Sequence, residues 1–295
     1  MFKKSSQYFL RQVAAPEDLP PDIAALVRRH LPDYEGIITI PPQDYPIPRL
    51  GWMRALPFAW RTTPARTLVF GPEYILIIES TSLWGPRTTL VPLADVLYSE
   101  ITVNLLYACL RLVWASDEGR QAAIIEFDAT GMEPLRQQFD RARARTSTGR
   151  LHPALPGQSG RLEDLPLKFY NYAHYALLPG EHVQAAFYQP SVRRMSDWPP
   201  PQLGPNRAFL LTDLHLMVSA ELTHGPASKY GVVTRVIPRG QIRAVECENG
   251  QETRLLCLML GSGISAMRLS YPLSREHAAA LRAVLGEQEP LGAGG

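Results

Sequence analysis

The sequence predicts a mainly β protein with flanking helices, an α+β class, in which one helix–sheet–helix unit is written twice. Three observations carry this expectation. First, distant landmarks recur at a single offset of 146 residues: Glu17-Asp18-Leu19-Pro20 as Glu163-Asp164-Leu165-Pro166, Trp84-Gly85 as Tyr230-Gly231, and Leu90-Val91-Pro92 as Val236-Ile237-Pro238. One offset shared by landmarks this far apart marks an internal duplication. Second, short β-like runs follow one another at intervals of roughly 8–12 residues, the spacing of an antiparallel sandwich or barrel. Third, apolar residues at helical spacing open and close each copy.

The elements follow in order. After Pro20-Pro21, the residues Ile23, Leu26 and Val27 form one apolar stripe, and a helix is expected that ends at Leu31-Pro32. Strands are expected near 35–40, 66–70, 74–79, 87–91, 96–102, 108–115 and 121–127, separated by turns such as Gly71-Pro72 and Gly85-Pro86. A closing helix carries Leu135, Phe139 and Ala142 on one face, with Thr130 and Glu133 spaced as a capping box or Pro134 as its first residue. In the second copy the helix after Pro166 is apolar around much of its circumference and is expected to be the more buried of the two. Strands are expected near 182–188, 206–211, 214–220, 232–237, 242–247, 254–260 and 265–270. The last helix has Ser274 as N-cap, Leu281 and Leu285 on its apolar face, and Gly286 as C-cap. Residues 146–160 are rich in Ser, Thr, Gly and Pro and read as a linker. The domain expectation is therefore 1–145, the linker, 161–287, and a polar tail at 288–295.

Composition narrows the function classes. Residues 1–148 carry 16 basic and 16 acidic groups, and the remainder carries 14 and 12. Neither half has the basic excess that binding to a nucleic-acid backbone requires, so no nucleic-acid partner is expected. Cys109, Cys247 and Cys257 are not equivalent positions of the two copies and read as small buried hydrophobes in a reducing cytoplasm. No apolar run approaches the ~18 residues that argue for a membrane-spanning helix. A cytoplasmic protein, with peripheral membrane association as an option, is the expected localisation.

Leu178-Pro179-Gly180-Glu181, Leu210-Leu211-Thr212-Asp213, His215 to Val218, Tyr230-Gly231, Val236-Ile237-Pro238 and Ile242 to Glu246 follow one another in the second copy. The first copy keeps Trp84-Gly85, Leu90-Val91-Pro92 and Val96 to Glu100. This ordered series resembles the pleckstrin-homology-like (PH-like, GRAM-like) domains, particularly bacterial ones. The resemblance implies two tandem PH-like domains, each a bent antiparallel β-barrel or sandwich closed by a C-terminal helix. Two departures stand out: Phe139 and Leu285 hold the apolar positions where eukaryotic members usually have a Trp in the closing helix, and neither copy has the Lys-rich signature of phosphoinositide binders.

Function is sought where the copies differ, in the loops after the first main strand. The longer loop, 41–61, holds Arg49, Trp52, Met53, Arg54, Phe58, Trp60 and Arg61; its counterpart holds Arg193, Arg194, Met195 and Trp198. Trp has an apolar body and a polar N–H, and Arg meets carboxylate or phosphate, so this mixture suits a protein partner or an anionic membrane surface. Folding over the sheet to finish the core, or packing between the two domains, is the alternative to both. Arg136, Arg141, Arg143 and Arg145 read as a solvated helix face, and the helix bearing Tyr170, Tyr172, His174 and Tyr175 as core packing. The chain has no nucleophile elbow, zinc pair, phosphate loop or Rossmann glycine series, and its seven histidines are scattered. The expectation is a non-enzymatic binding or scaffolding protein without cofactor or metal, with a protein partner first, a membrane surface second and an unrecognised enzyme third.

Overall fold

Proline stands at the start of both leading helices: Pro21 is the first residue of one, where its fixed φ and missing N–H suit the first turn, and Pro166 is the N-cap of the other. In the computed structural model, which describes residues 9–46, 60–81, 85–146, 161–193, 202–223, 231–249, 254–275, 277, 278, 281 and 285, three helices are complete: α1 (Pro21–His30), α2 (Glu133–Thr146) and α3 (Leu167–Ala176). A short 3-10 turn precedes α1 at Pro16–Asp18 and α3 at Leu162–Asp164. The N–H groups of Asp18, Leu19, Ala24 and Leu31 donate to the carbonyls of Ala15, Pro16, Pro20 and Val27. Those of Asp164, Leu165, Tyr170 and Leu177 donate to Arg161, Leu162, Pro166 and Ala173, every donor and acceptor 146 positions further on.

The strands run β1 (Arg11–Val13), β2 (Gly36–Ile40), β3 (Asp44–Pro46), β4 (Trp60–Thr62), β5 (Ala65–Phe70), β6 (Tyr74–Thr81), β7 (Gly85–Pro92), β8 (Val96–Asn104), β9 (Tyr107–Ser116) and β10 (Gly119–Asp128). They continue as β11 (Val183–Gln189), β12 (Val192–Arg193), β13 (Gln202–Gly204), β14 (Arg207–Thr212), β15 (His215–Glu221), β16 (Val232–Pro238), β17 (Ile242–Asn249), β18 (Arg254–Leu260) and β19 (Met267–Leu273). The main strands fall within a few residues of the positions read from the sequence. The mainly β, α+β class is therefore what the chain adopts. The short strands β1, β3, β4, β12 and β13 carry too little periodicity to be read in advance.

Contacts group the chain into two compact units. One comprises Met1–Ala94, Leu106–Cys109 and Ile125–Arg145, and contains the sheet β1-β2-β5-β6-β7. One face of that sheet, Ile37, Val69, Leu76 and Ile78, packs on Ile23, Ala24, Val27 and Leu31 of α1 and its end. In α2, Leu135, Phe139 and Ala142 are buried as their spacing predicts. Gly36 lets this helix come close, since a Cβ there would lie 2.4 Å from the Gln138 side chain. The capping box is not formed: Asp128 caps the preceding turn by accepting from the Thr130 N–H, and Glu133 instead bonds Arg136 and Gln137. The arginine face is also more engaged than a solvated one. Arg143 is buried beside Asp140, Arg136 pairs with Glu133, and Arg145 pairs with Glu35.

The other unit comprises Asp95–Leu105, Leu110–Ile124 and Thr146–Gly295. Its seven-stranded sheet has the order β10-β9-β8-β16-β15-β14-β11, and β17-β18-β19 form a separate three-stranded sheet. Segments 95–105 and 110–124, which chain order places with the first half, group here because β8 hydrogen-bonds along β16. The core mixes the halves accordingly: Leu97, Tyr98 and Val113 cluster with Phe209, Leu216, Ile237, Leu256, Leu258 and Tyr271. Ala278, Leu281 and Leu285 of the last helical segment join them. Ser274 caps that segment, its hydroxyl accepting from the His277 N–H at 3.2 Å. Helix α3 buries only Phe169 and Ala173, fewer residues than α1, and leaves Leu167 and Tyr175 exposed, so the expectation that it would be the more buried is not met. Among the described residues the ladders form open sheets and close no barrel. Residues 147–160, Trp84, Tyr230, Gly286 and the 288–295 tail lie outside the described residues.

Candidate functional site

The two Arg- and Trp-containing loops leave their sheets through short antiparallel ribbons. In the first, β3 pairs β4 with Asp44 opposite Thr62, Tyr45 opposite Arg61 and Pro46 opposite Trp60. In the second, β12 pairs β13 with Val192 opposite Gly204 and Arg193 opposite Gln202. Of the residues singled out from the sequence, Arg49, Trp52, Arg54, Phe58, Arg194 and Trp198 lie outside the described residues. Trp60 and Arg193 are placed by their backbones on the ribbons, and Arg61 is placed with its side chain.

The first ribbon is fastened at its root. The Thr63 N–H donates to the Gln43 carbonyl at 2.8 Å, the Gln43 N–H donates to the Thr63 hydroxyl oxygen at 3.1 Å, and both side chains are buried. Thr62 donates its hydroxyl to Asp44 Oδ1 at 2.5 Å. Tyr45 and Arg61, being directly opposite, share one face of the ribbon. That face meets β9 and β10. The Tyr45 ring packs edge-on against Tyr107, with centroids 5.0 Å apart and planes at 84°, a favoured aromatic geometry. The Tyr107 hydroxyl donates to Glu126 Oε1 at 2.9 Å, and the Arg61 guanidinium donates to the same oxygen.

Electrostatics follow from that geometry. The hydrogen bond to Glu126 raises the Arg61 pKa above its already high value. Arg61 is thus a half-exposed arginine already engaged by a buried carboxylate, and not a cation offered entirely to a ligand. Burial, then the charges of Glu126 and Asp128, push the Tyr45 hydroxyl up to about 12, and that buried hydroxyl has no hydrogen-bond partner. Burial also raises Tyr107, helped by Cys109 and Glu126. Neutralising the carboxylate with Glu126→Gln is expected to lower the Tyr45 value only part of the way toward 10, because burial remains. Spectrophotometric titration of tyrosinate, with Tyr45→Phe to assign the step, checks this; an unchanged step would place Glu126 too far away to act.

The second ribbon has a different anchor. The Ser191 N–H donates to Asn206 Oδ1 at 2.7 Å, Asn206 Nδ2 donates to Glu221 Oε2 at 2.7 Å, and Lys168 Nζ meets Glu221 Oε1 at 3.2 Å. Gly204 passes close to Pro272 and Arg207, where a Cβ would lie 3.0 and 3.1 Å from their side chains. Burial lowers the pKa of Arg207, which donates to the Pro272 carbonyl at 3.3 Å.

Two polar clusters escaped the sequence reading. Arg235 on β16 donates through Nε to Glu100 Oε2 at 3.0 Å and through Nη1 to the Tyr271 hydroxyl at 2.8 Å, and lies 4.9 Å from the Tyr98 ring centroid. Glu181 Oε1 and the His215 ring Nδ1 are hydrogen-bonded at 2.7 Å, with side chains 0% and 1% exposed. Both pairs join residues far apart in sequence, and the 146 offset gives no hint of the first, since the counterpart of Arg235 is Thr89. Arg235 ties β16 to β8 and β19, and Glu181 ties the turn before β11 to His215 at the start of β15. Cys109, Cys247 and Cys257 form no disulfide, Cys257 alone being fully buried.

Among the described residues, no group of three or more His, Cys, Asp or Glu side chains could hold a metal ion, and no helix is long and apolar enough to cross a membrane. No family model matches the chain, and no curated protein matches it.

Proposed function

We propose that this protein is a non-enzymatic binding or scaffolding module, built from two tandem PH-like domains of one duplicated unit, that offers the loops containing Arg49–Arg61 and Arg193–Trp198 to a protein partner. The observation that carries the reading is the fastened ribbon β3–β4. Its root is held by Gln43–Thr63 and by Tyr45 and Arg61 against Tyr107 and Glu126, so a loop rich in Trp, Phe and Arg springs from a fixed base. Fixing the base lowers the ordering cost of binding, and Trp and Arg are the residue types that dominate protein hot spots. The second loop leaves its sheet by a ribbon at the corresponding place, as a duplicated unit requires. The recurrence of the leading-helix hydrogen bonds at 146 residues supports the same duplication. The succession of seven main strands after each leading helix supports the PH-like reading.

A protein partner is favoured over a membrane because Glu126 already engages Arg61, leaving Arg49 and Arg54 as the first loop's other cations. At about 1 kcal/mol per cation near an anionic surface, the first loop's two give weak anchoring by themselves, and Arg193 and Arg194 of the second loop add about as much again. The test is affinity capture from the native host with the full chain and with a Trp52→Ala/Phe58→Ala/Trp198→Ala variant, beside sedimentation with phosphatidylserine vesicles. A specific partner lost in the variant is the expected result. Equal capture by both proteins would overturn the loop reading, and Trp-dependent vesicle sedimentation without a partner would transfer it to membranes.

A further inference from the structure

Strand β16 is not the edge of its sheet, because β8 completes it. The ladder is antiparallel and sets Val233 opposite Thr102, Arg235 opposite Glu100 and Val236 opposite Ser99. The positions 146 residues away are β7, which corresponds to β16, and β17, which corresponds to β8. The correspondence is local as well as numerical. Both β7 and β16 end in Pro, at Pro92 and Pro238, and both are followed by a 3-10 turn, at Leu93–Asp95 and Arg239–Gln241. In each turn the first N–H, from Leu93 or Arg239, donates to the carbonyl just before the neighbouring strand, Glu73 or Leu214.

Yet β7 ends the sheet β1-β2-β5-β6-β7, and β17 ends the sheet β17-β18-β19. Their solvent exposure agrees: Leu90 is 42% exposed where its counterpart Val236 is 6% exposed, and Arg87, Glu246 and Glu248 are exposed as well. Among the described residues, a strand of the kind that accepts a neighbour and a strand of the kind that supplies one thus each end a sheet with no further strand added. Open edges present backbone donors and acceptors ready for another strand.

We propose that the chain self-associates head to tail, β17 of one copy adding to β7 of the next in the antiparallel register that β8 makes with β16. Transferring that register sets Arg87 opposite Glu248, Thr89 opposite Glu246 and Leu90 opposite Val245. At the first of these Arg87 meets Glu248, which also pairs with Arg268 of its own copy, and at the last exposed Leu90 meets Val245, half-buried against its own core, both favourable cross-strand pairs. The interface is heterologous, each copy keeping one open edge of each kind, so the assembly grows as a chain or closes as a ring. The inference rests on the correspondence of the two halves and not on the loop surface, and alanine at Trp52 and Trp198 leaves it unchanged.

Sedimentation velocity of the full chain over a concentration series tests this. The wild type is expected to form oligomers in a concentration-dependent way. Arg87→Glu and Glu248→Arg each set like charges opposite one another and weaken association by about tenfold, as for ~1.4 kcal/mol. An equimolar mixture of the two variants recovers association, because every mixed junction again pairs Arg with Glu. Leu90→Asp, at an exposed position, weakens association by a second route, and circular dichroism confirms that each variant is folded. A wild type that stays monomeric overturns the proposal. Oligomers indifferent to Arg87, Glu248 and Leu90, or a mixture that recovers nothing, overturn it equally.

Discussion

Replacing His215 with alanine is expected to lower the unfolding free energy by about 3–5 kcal/mol, the cost of leaving a buried charge without its partner. The partner is Glu181, which is fully buried. Burial alone would push this carboxyl up. The His215 ring, the Leu178 N–H at 2.8 Å and the Thr212 hydroxyl at 2.5 Å outweigh it and hold the pKa below the ordinary 4.5. Because the folded value is the lower one, ionised Glu181 favours the fold. Its contribution is complete above about pH 4.5 and is lost as pH falls through the folded value. Urea denaturation of the wild type and of Glu181→Gln across pH 3–7 reads this directly, the variant losing the acid limb that Glu181 supplies. The double replacement Glu181→Leu/His215→Leu separates the pair from its site. It removes the buried carboxylate together with its partner, so it should cost less than His215→Ala, which leaves that carboxylate alone. A larger loss in the double variant would show that packing, and not the pair, sets the stability here.

Arg235→Met should cost about 2–3 kcal/mol, less than the fully buried pair because Arg235 and Glu100 retain 24% and 15% side-chain exposure. The substitution leaves Glu100 and the Tyr271 hydroxyl without their shared donor and removes the cation from the Tyr98 ring. Tyr271→Phe isolates one contact and should cost about 1 kcal/mol. Denaturant midpoints at constant m-value provide the measurement. If Arg235→Met costs no more than Tyr271→Phe, the link to Glu100 contributes nothing.

Much of the fold was legible because it is local. The Ile23–Val27 stripe, the strand ending at Val91-Pro92, and the Leu135–Phe139–Ala142 face each declare themselves within one or two turns of chain. The misreadings were of groups whose partners are distant or unexpected. Nothing near Arg61 announces Glu126, 65 positions away, so the arginine read as a ligand-facing cation. Arg143 read as solvated because its helix face is polar, yet it is buried beside Asp140. Helix α3 read as deeply buried because it is rich in aromatics, but Tyr170 and His174 stack on each other with ring centroids 5.9 Å apart, and Tyr175 faces solvent. Hydropathy reports what a side chain can bury, not which neighbour takes it. The β8–β16 ladder is the extreme case, since a strand's pattern shows that it pairs and is silent on with whom.

That ladder also bears on how the chain is made. During synthesis β8 leaves the ribosome at Asn104, while β16 begins only at Val232. At typical elongation rates the wait is roughly ten seconds. Throughout it the nascent β8 edge and the apolar side chains of Leu97, Tyr98 and Val113 lack the neighbours with which they finally cluster. The unit built from residues of the first 145 can form early, but the segments 95–105 and 110–124 must wait for the second half before their own unit is complete. Until then, the β8 edge and its apolar neighbours form an unsatisfied strand of the kind that invites mispairing.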